Sequence, residues 1–461
     1  MSDGWSDKKG RTLLNFLVHC PRGIMFIKSV DASAQVKDAA LLCQLLDEFI
    51  QEIGPQHVVQ VVTDNAANYV AAGRMLMDRH PTLFWTPCAA HCIDLILEDM
   101  GKIQFIKDVI HSARSITKFI YNHASVLSLM RKFTHDRELV RPAITRFATC
   151  FISLQSLLTS MWDLQTMFLS AEWCALSIST KPEGHDIFRL VSYQESFWDG
   201  VKEVCTVCEP LVRVLRLVDG DKPAMGYLYE AMDRAKEAIN AYYEDKGEEG
   251  QAKQQLIWEV IDQRWNKTLH RPIHAAGLFL NPAFSYSCGF NFDAEVMDGF
   301  LECVQRMVPS AADRSEISKE LEVYRRAMGT FGFDMAINDR KNIMPSKFHL
   351  VSKFNFITFF VLYFKFSMSS LMFLQFIVDT WWETYGRRVP HLQKLAVRIL
   401  SQTCSSSGCE RNWSVFEKIH TKKRNRFENL KLNSKFIITC NLCHMGNFNL
   451  CILNSNWINL W

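Results

Sequence analysis

Three acidic residues stand at positions where carboxylates could hold metal ions. Asp3 lies among the first residues, Asp64 ends a valine-rich run, and Glu410 lies early in a helix predicted near the C terminus. Carboxylates on strand ends and one helix can hold two Mg²⁺ ions about 3.5–4 Å apart, which activate water or a 3′-hydroxyl and stabilise the leaving oxygen of a phosphodiester. A structural alternative exists for Asp64, because Asp64-Asn65 before a helix is also a typical N-cap.

The first hundred residues predict the elements that must position Asp3 and Asp64. The predicted order is a hairpin over 11–30 with its turn at Pro21-Arg22-Gly23, a helix from Ser33, a buried strand over 57–63, a helix over about 66–79, a short strand near Leu83 and a helix from Ala89. Turn residues, helical periodicity and β-branched runs each support these assignments. The order predicts a mixed α/β sheet covered by helices.

Residues from about 100 to 300 predict an all-helical region, because apolar side chains recur at three- and four-residue spacing. Its clearest break is the polar stretch 244–250, which predicts a loop. Cys205 and Cys208 lie on one apolar helical face, which favours core packing over metal binding. Further amphipathic helices are predicted over 389–402 and 409–430.

Composition excludes several classes of protein. The 461 residues are 48% hydrophobic with only 20 Gly and 13 Pro, which excludes disordered, collagen-like and low-complexity chains. Lys+Arg 52 against Asp+Glu 49 leaves a charge of +3, which indicates no strongly basic surface. The 15 cysteines without regular spacing favour a reducing intracellular compartment, and the first residues show no signal-peptide pattern.

Several sequence blocks occur in the order found in one superfamily of transposases. They are DGWSD (3–7), VVTDNAANY (61–69), CAAHCIDLILED (88–99), Thr145-Arg146-Phe147, Ile273–Gly277 with Asn281-Pro282, and SSSGCERNWSVFEKIHTKKRNR (405–426). On these blocks the chain resembles plant hAT-superfamily transposases. More closely, it resembles the large plant group of hAT-derived proteins with an RNase-H-like front half and a C-terminal hAT dimerisation region. The resemblance covers residues 1 to about 346 and 379–432.

The resemblance implies an α/β fold of the DDE-transposase type: an RNase-H-like mixed sheet with a large all-helical insertion and a helical C-terminal dimerisation segment. It implies that Asp3, Asp64 and Glu410 are the catalytic, metal-binding acids, with Mg²⁺ as the cofactor of an active enzyme. Cys88 and His91 match the family's Cys-x-x-His motif. Structural zinc needs four ligands and no second pair has matching spacing, so packing of a strand-to-helix junction is favoured over zinc for this pair.

The chain departs from the family pattern at two places near its functional blocks. Phe147 stands where many members carry a tryptophan, so a hairpin-handling role of this position is not expected. Family members usually carry a zinc finger and more of the first strand before Asp-Gly-Trp, whereas here Met1 stands two residues before Asp3. We therefore expect a weakened first strand and a less well placed Asp3.

The predicted domains are a first half of the RNase-H-like domain (1–110), a helical insertion (111–345), an anomalous Phe-rich insert (346–378), the dimerisation region (379–432) and a tail without family resemblance (433–461). Nine of the 32 Phe lie between 348 and 376. One hypothesis is that the insert and the tail are translated non-coding sequence. The alternative is that 354–378 spans a membrane, although Lys365 near its centre would cost about 2.5–3.5 kcal/mol.

The last predicted helix carries two candidate contact sets. The basic set consists of Lys422, Lys423, Arg424 and Arg426, which predicts a nuclear localisation signal or phosphate contacts. Its alternative is a charged last turn of a helix, which suits the helix dipole. Trp413 and Phe416 are the expected dimerisation contacts, or else pack in the domain's own core.

The predicted function is a hAT transposase-derived nuclear protein that dimerises through its C-terminal region and whose DDE-type core is inactive or degenerate. One alternative is an active Mg²⁺-dependent DNA transposase or nuclease. The other is a membrane-anchored protein. The partners to test are a second copy of the chain and DNA, and no small-molecule substrate is indicated.

Overall fold

The strands form a small sheet region at the start of the chain. A computed structural model describes residues 1–6, 11–20, 23–141, 148–220, 222–287, 293–342 and 381–411. The strands are β1 (Ser2–Ser6), β2 (Thr12–Cys20), β3 (Gly23–Asp31), β4 (Gln60–Thr63) and β5 (Phe84–Pro87). The first three pair antiparallel in that order, and β4 pairs parallel with β5. β1 also lies beside β4, with Cα atoms within 8 Å.

Helices make up most of the described chain. They are α1 (Ala39–Ile53), α2 (Ala67–Arg79), α3 (Ala89–Met100), α4 (Gln104–Asn122), α5 (Ala124–Phe133), α6 (Ala148–Thr159), α7 (Met161–Phe168), α8 (Ala171–Cys174), α9 (Pro182–Ser192), α10 (Glu195–Asp219), α11 (Leu228–Tyr243), α12 (Gly247–Arg264), α13 (Pro272–Leu280), α14 (Pro282–Ser285), α15 (Ala294–Met307), α16 (Ala311–Arg325), α17 (Asp334–Asn342), α18 (Trp381–Tyr385) and α19 (Pro390–Leu400). Short 3₁₀ turns lie at Pro55–His57, Ser177–Thr180, Gly329–Gly332 and Gly386–Arg388, and a π-helix at Trp265–Leu269. The architecture is therefore α/β and mostly helical.

The chain divides into two compact units. The first unit contains Met1–His91, Val218–Tyr229 and the described residues from Thr268 onward, and the second contains Cys92–Leu217 and Glu230–Lys267. All the strands belong to the first unit, and the described residues of the second unit contain helices and connections only. The all-helical region predicted between about 100 and 300 is confirmed for the described residues of that range.

The first unit is built on the two apolar faces of β2. Leu14 and Phe16 point to one face and pack in a core with side chains of α1 and α2. Leu13 and Leu17 pack in a separate cluster with Phe26 and Cys409. Because successive side chains of a strand point to opposite faces, this alternation covers the sheet on both sides. β2 therefore lies between two apolar layers.

Asn15 is a polar exception inside β2. It is 0% exposed, and neither atom of its side-chain amide has a hydrogen-bond partner among the described residues. Its strand neighbours are Asp3 on β1 and Ser29 on β3, whose hydroxyl is also buried without a partner in the described chain. A buried polar group without a partner costs about 1–3 kcal/mol. We expect Asn15→Leu to raise the free energy of unfolding by a similar amount, measured by chemical denaturation.

A buried asparagine with satisfied bonds provides the control for this prediction. Asn281 is also 0% exposed, but its Nδ2 donates to the Gly226 carbonyl at 2.8 Å and its Oδ1 accepts from the Ala283 amide at 3.1 Å. Asn281→Leu should therefore destabilise the chain, because it leaves the Gly226 carbonyl unpaired. Equal losses of stability in both variants would contradict the interpretation of Asn15.

The second unit is held by the apolar faces of its helices. α10 carries Pro210 in its interior, and its Cys205 and Cys208 are 8% and 1% exposed. Burial raises the pKa of the Cys205 thiol to about 12, so both cysteines are neutral core residues, as their apolar helical face predicts. Trp198 donates its indole N–H to the Val191 carbonyl at 2.9 Å, which ties α10 to the end of α9.

Several predicted boundaries differ from the structure. The hairpin is confirmed as β2 and β3, but the strand predicted over 57–63 is formed only by Gln60–Thr63. The loop predicted over 244–250 is shorter, because α12 begins at Gly247. β1 pairs with β2 along all of its residues, from Ser2 with Phe16 to Ser6 with Thr12. Asp3 therefore lies inside a strand that precedes the hairpin and pairs with β2.

Some predicted features lie outside the described residues. They are Phe147, the Phe-rich insert 346–378 with its apolar run 354–378, Trp413, Phe416, the basic residues Lys422, Lys423, Arg424 and Arg426, and the tail 433–461. Among the helices of the described ranges, none is both long and apolar enough to cross a membrane.

Candidate functional site

Asp3 is positioned by the pairing of β1 with β2. The Met1 ammonium donates to the Leu17 carbonyl and the Leu17 amide donates to the Met1 carbonyl, both at 2.9 Å. Asp3 Oδ1 accepts a hydrogen bond from the Gly4 amide at 2.9 Å. Asp3 therefore lies on a strand that is hydrogen-bonded from its first residue.

Asp64 follows the carboxyl end of β4. The Thr63 hydroxyl donates to the Asp64 carbonyl at 2.9 Å and accepts from the Trp85 indole N–H at 3.0 Å. Asp64 Oδ1 accepts from the Ala66 amide at 2.8 Å. The N-cap of α2 is Ala66, so the N-cap alternative for Asp64 is wrong, and its side chain closes a turn just before the helix.

Glu410 lies in the helical residues 407–411 that end the described chain. The residue before it, Cys409, is 0% exposed and packs with Leu13, Leu17 and Phe26. The residue after it, Arg411, donates to the Asp219 carbonyl at 2.8 Å. Glu410 itself is partly buried, next to Cys409, which packs in the apolar cluster against the sheet.

The charges of the three acids act on two buried groups, the Tyr69 hydroxyl and the Cys409 thiol. Burial raises the pKa of the Tyr69 hydroxyl, and the carboxylates of Asp64 and Asp3 raise it further, although a hydrogen bond with Ser2 at 3.4 Å opposes them. Burial likewise raises the pKa of the Cys409 thiol, and the charges of Asp3 and Glu410 add to this. The charge of Asp3 therefore acts on both buried groups, together with Asp64 on Tyr69 and with Glu410 on Cys409.

The acids do not form a ready-made metal site. Within the described ranges, no group of three or more His, Cys, Asp or Glu side chains is arranged to hold a metal ion. Oxygen ligands of this type suit Mg²⁺. Asp3 and Asp64 each accept a hydrogen bond from a backbone amide with Oδ1.

Cys88 joins the strand-to-helix junction to the C-terminal segment. Its amide donates to the Thr63 carbonyl at 2.7 Å, and the Ser406 amide donates to its sulfur at 3.3 Å. The Ser405 hydroxyl lies 3.4 Å from the same sulfur, and the Ala89 amide donates to the Cys404 carbonyl at 2.8 Å. Burial raises the pKa of the Cys88 thiol, which favours the neutral form.

His91 belongs to the same junction. It lies in the first turn of α3 and is partly buried, and its backbone amide is hydrogen-bonded to the Cys88 sulfur. The Cys-x-x-His pair therefore lies in the packed junction between β5 and α3. We call the contacts of Cys88 and Ala89 with residues 404–406 the C-terminal clasp. Its partners on the C-terminal side, Ser405 and Ser406, were not predicted, although the SSSGCE block contains them.

Comparison with protein-family models gives two matches. Residues 1–116 match a domain of unknown function (DUF659), and residues 363–442 match the hAT family C-terminal dimerisation region. Together the two matches support a hAT-family transposase-derived protein. No curated protein matches it.

The two matched ranges of this hAT-derived chain meet in the first unit. Asp3, Asp64 and Cys88 lie in the first range, and Cys409 and Glu410 lie in the second. The C-terminal clasp and the Cys409 cluster are therefore contacts between the two matched regions. The second match is wider than the predicted 379–432, since it includes residues 363–378 and 433–442.

Proposed function

We propose that the chain is a homodimeric nuclear protein of hAT transposase origin whose core does not cleave DNA. The observation that carries the proposal is the packing of the C-terminal segment on the three-stranded sheet. Cys409, inside the matched dimerisation region, shares one apolar cluster with Leu13, Leu17 and Phe26. The described residues of the matched dimerisation region belong to the first unit. A dimer contact within this region would therefore join the first units of two chains.

An RNase-H-like fold is part of the proposal. It is supported by three antiparallel strands, by β4 lying beside β1 and parallel to β5, and by α1 and α2 standing before and after β4. The proposed domain boundaries remain 1–110, 111–345 and 379–432. The helical unit of 92–217 and 230–267 belongs largely to the proposed insertion.

The inactive core is supported by the surroundings of Asp3. Met1 and Trp5, two residues to either side of Asp3, pack against the apolar cluster that contains Cys409. Because residues i and i+2 of a strand share a face, this face of β1 is covered by apolar side chains. A carboxylate in such a packed face that also binds the Gly4 amide is poorly placed to exchange ligands with Mg²⁺.

The oligomeric state tests the first part of the proposal. Sedimentation velocity of the full chain at micromolar concentrations should give a dimer whose fraction rises with concentration. A monomer over the whole range would overturn the proposed dimer.

An Mg²⁺-dependent nuclease is the second candidate, favoured because Asp3 lies on β1 and Asp64 directly follows β4, the strand beside β1. A plasmid-nicking assay separates the two functions. The inactive core predicts no Mg²⁺-dependent nicking and no difference between the native chain and Asp64→Ala. Asp186→Ala is the matched control, because Asp186 is exposed and lies in the second unit. Nicking that needs Mg²⁺ and is lost only in Asp64→Ala would establish the nuclease.

Nuclear location and DNA contact rest on the basic set, which lies outside the described residues. Replacing Lys422, Lys423, Arg424 and Arg426 by alanine should move a fluorescent fusion of the full chain out of the nucleus. The same change should reduce the salt dependence of any DNA affinity, because fewer phosphates are neutralised. Unchanged location and unchanged salt dependence would leave only the alternative of a charged last helical turn.

A further inference from the structure

Three polar residues form a row across the sheet of β1, β2 and β3. Asp3, Asn15 and Ser29 are register partners, so their side chains lie on one face of the sheet. Both polar atoms of the Asn15 amide and the Ser29 hydroxyl are buried and have no hydrogen-bond partner among the described residues. Buried polar groups in proteins are almost always hydrogen-bonded, so three such atoms at adjoining positions call for an explanation.

The row lies beneath the residues that end the described chain, 403–411, which we call the closing segment. Leu13 and Leu17 flank Asn15 on the same face of β2, because alternate residues of a strand share a face. Both leucines pack in one apolar cluster with Cys409 of the closing segment, and Asn15 is fully buried. The closing segment therefore covers the face in which the polar row lies.

The closing segment makes hydrogen bonds within itself. The Ser405 amide donates to the Thr403 hydroxyl at 3.2 Å, and the Ser407 amide donates to the Ser405 hydroxyl at 3.0 Å. The Cys409 amide donates to the Ser406 carbonyl at 2.8 Å. These bonds join residues two or three positions apart and do not depend on the sheet. The segment can therefore leave the sheet without losing them.

Some of the bonds that join the closing segment to the rest of the first unit are easily replaced. In the C-terminal clasp the Ser406 amide donates to the Cys88 sulfur at 3.3 Å, and the Ser405 hydroxyl lies 3.4 Å from the same atom. Sulfur is a weak acceptor. Arg411, which donates to the Asp219 carbonyl, is exposed, so water can take the place of that carbonyl.

We propose that the closing segment opens as a unit while the rest of the first unit stays folded, and that the polar row lowers the free energy of this opening. Opening exposes the apolar side chains around Cys409 to water, which is unfavourable. It also gives the Asn15 amide and the Ser29 hydroxyl water as a partner, which offsets part of that cost. Openings of this local kind need less free energy than global unfolding. The inference goes beyond the proposed function, because it needs neither a second chain nor catalysis.

The opening would decide where the third acid of the family pattern lies. Glu410 belongs to the closing segment, whereas Asp3 belongs to β1 and Asp64 follows β4. In the open state Glu410 leaves with the segment, and the face that carries Asn15 becomes accessible to solvent. Glu410 therefore stays beside the sheet that carries Asp3 only in the closed state.

Buried thiols test the opening in the native full chain. The segment cysteines line the contact of the closing segment, and the reference cysteines lie elsewhere in the first unit. They are Cys88, Cys404 and Cys409, and Cys43 and Cys303, respectively. All five are 0% exposed, and burial raises the pKa of each thiol, so a maleimide reaches them only after an opening.

Pulsed labelling with N-ethylmaleimide, read out for each cysteine by mass spectrometry of its peptide, gives the five rates. We expect the segment cysteines to react at least about tenfold faster than the reference cysteines, because local opening is more frequent than global unfolding. Equal rates for all five thiols would overturn the opening.

Two variants separate the role of the polar row from global unfolding. Asn15→Leu should slow labelling of the segment cysteines at least about fivefold, because opening no longer hydrates an unpaired amide. Trp382→Ala weakens the aromatic core with Tyr324 and Phe331, which stays packed in the open state, so it should speed labelling of Cys303 and leave that of Cys409 unchanged.

Each variant has an outcome that contradicts the inference. Unchanged labelling of the segment cysteines in Asn15→Leu would overturn the role of the polar row. A parallel increase of all five rates in Trp382→Ala would show that labelling needs global unfolding, which overturns the local opening itself.

Discussion

Replacing Trp382 with alanine lowers the free energy of unfolding by about 3–5 kcal/mol, because it leaves a large cavity in the aromatic core. Trp382 is 0% exposed, and its ring centroid lies 4.8 Å from that of Tyr324 and 5.6 Å from that of Phe331. Its indole N–H donates to the Leu280 carbonyl at 2.9 Å, so the change also leaves a buried carbonyl without its partner. Chemical denaturation at one fixed protein concentration measures the loss.

Two further variants divide this effect into its parts. Trp382→Phe keeps an aromatic ring but removes the N–H donor, so we expect a smaller loss than for alanine. Trp162→Ala is the matched control, because this tryptophan is 73% exposed and its removal should change stability by less than about 0.5 kcal/mol. Similar losses of unfolding free energy for Trp382→Ala and Trp162→Ala would contradict the packing of Trp382 against Tyr324 and Phe331.

Cys409→Asp should be almost as destabilising, because it places a carboxylate in a fully buried apolar cluster. The thiol is 0% exposed among Leu13, Leu17 and Phe26, and the charge of Asp3 already acts on it. A buried charge costs about 3–5 kcal/mol when nothing compensates it. The Met1 ammonium, which acts on Cys409, reduces this cost in part. Cys409→Val provides the control, since it keeps an apolar side chain of similar size and should cost less than about 1.5 kcal/mol.

The loss caused by Cys409→Asp should depend on pH in a defined direction. Burial and the neighbouring Asp3 favour the protonated form of the new carboxyl, whereas the Met1 ammonium opposes them. Because burial is the largest of these effects, we expect the folded-state pKa to lie above the unfolded value of about 3.9. The variant therefore keeps most of its stability below pH of about 4 and loses it as the pH rises through the folded-state pKa. If the difference in unfolding free energy between Cys409→Asp and Cys409→Val did not change with pH, the new carboxyl would not be buried as proposed.

Local patterns predicted the elements of the first unit well. Pro21-Arg22-Gly23 marked the hairpin, Ala89 the start of α3 and Pro390 the start of α19, because turn residues and helical periodicity act within a few residues. Local patterns did not predict β1, and the family resemblance predicted only a weakened first strand at Asp3. It is five residues long, which is too short to show a period, and its stability comes from pairing with β2.

The candidate site was predictable only in part. Asp3, Asp64 and Glu410 were chosen through family resemblance, and their catalytic role stays a prediction. The packing role of Cys88 was anticipated from missing zinc ligands, but its partners Ser405 and Ser406 were not. These serines are more than three hundred residues away in sequence, and neither periodicity nor turn chemistry carries information over that distance.

The C-terminal clasp delays part of the folding of this chain during its synthesis. Some partners of Cys88 and Leu13 come from residues 405–409, so the ribosome has synthesised most of the chain before this face of the sheet can be covered. Contacts of such long sequence separation form slowly. The helices of 92–217 and 230–267 can assemble earlier. Until residues 404–409 are synthesised, the face of the sheet that carries Leu13 and Leu17 remains exposed to solvent. Premature termination before Cys404 should therefore yield an aggregating product and a natural substrate for chaperones.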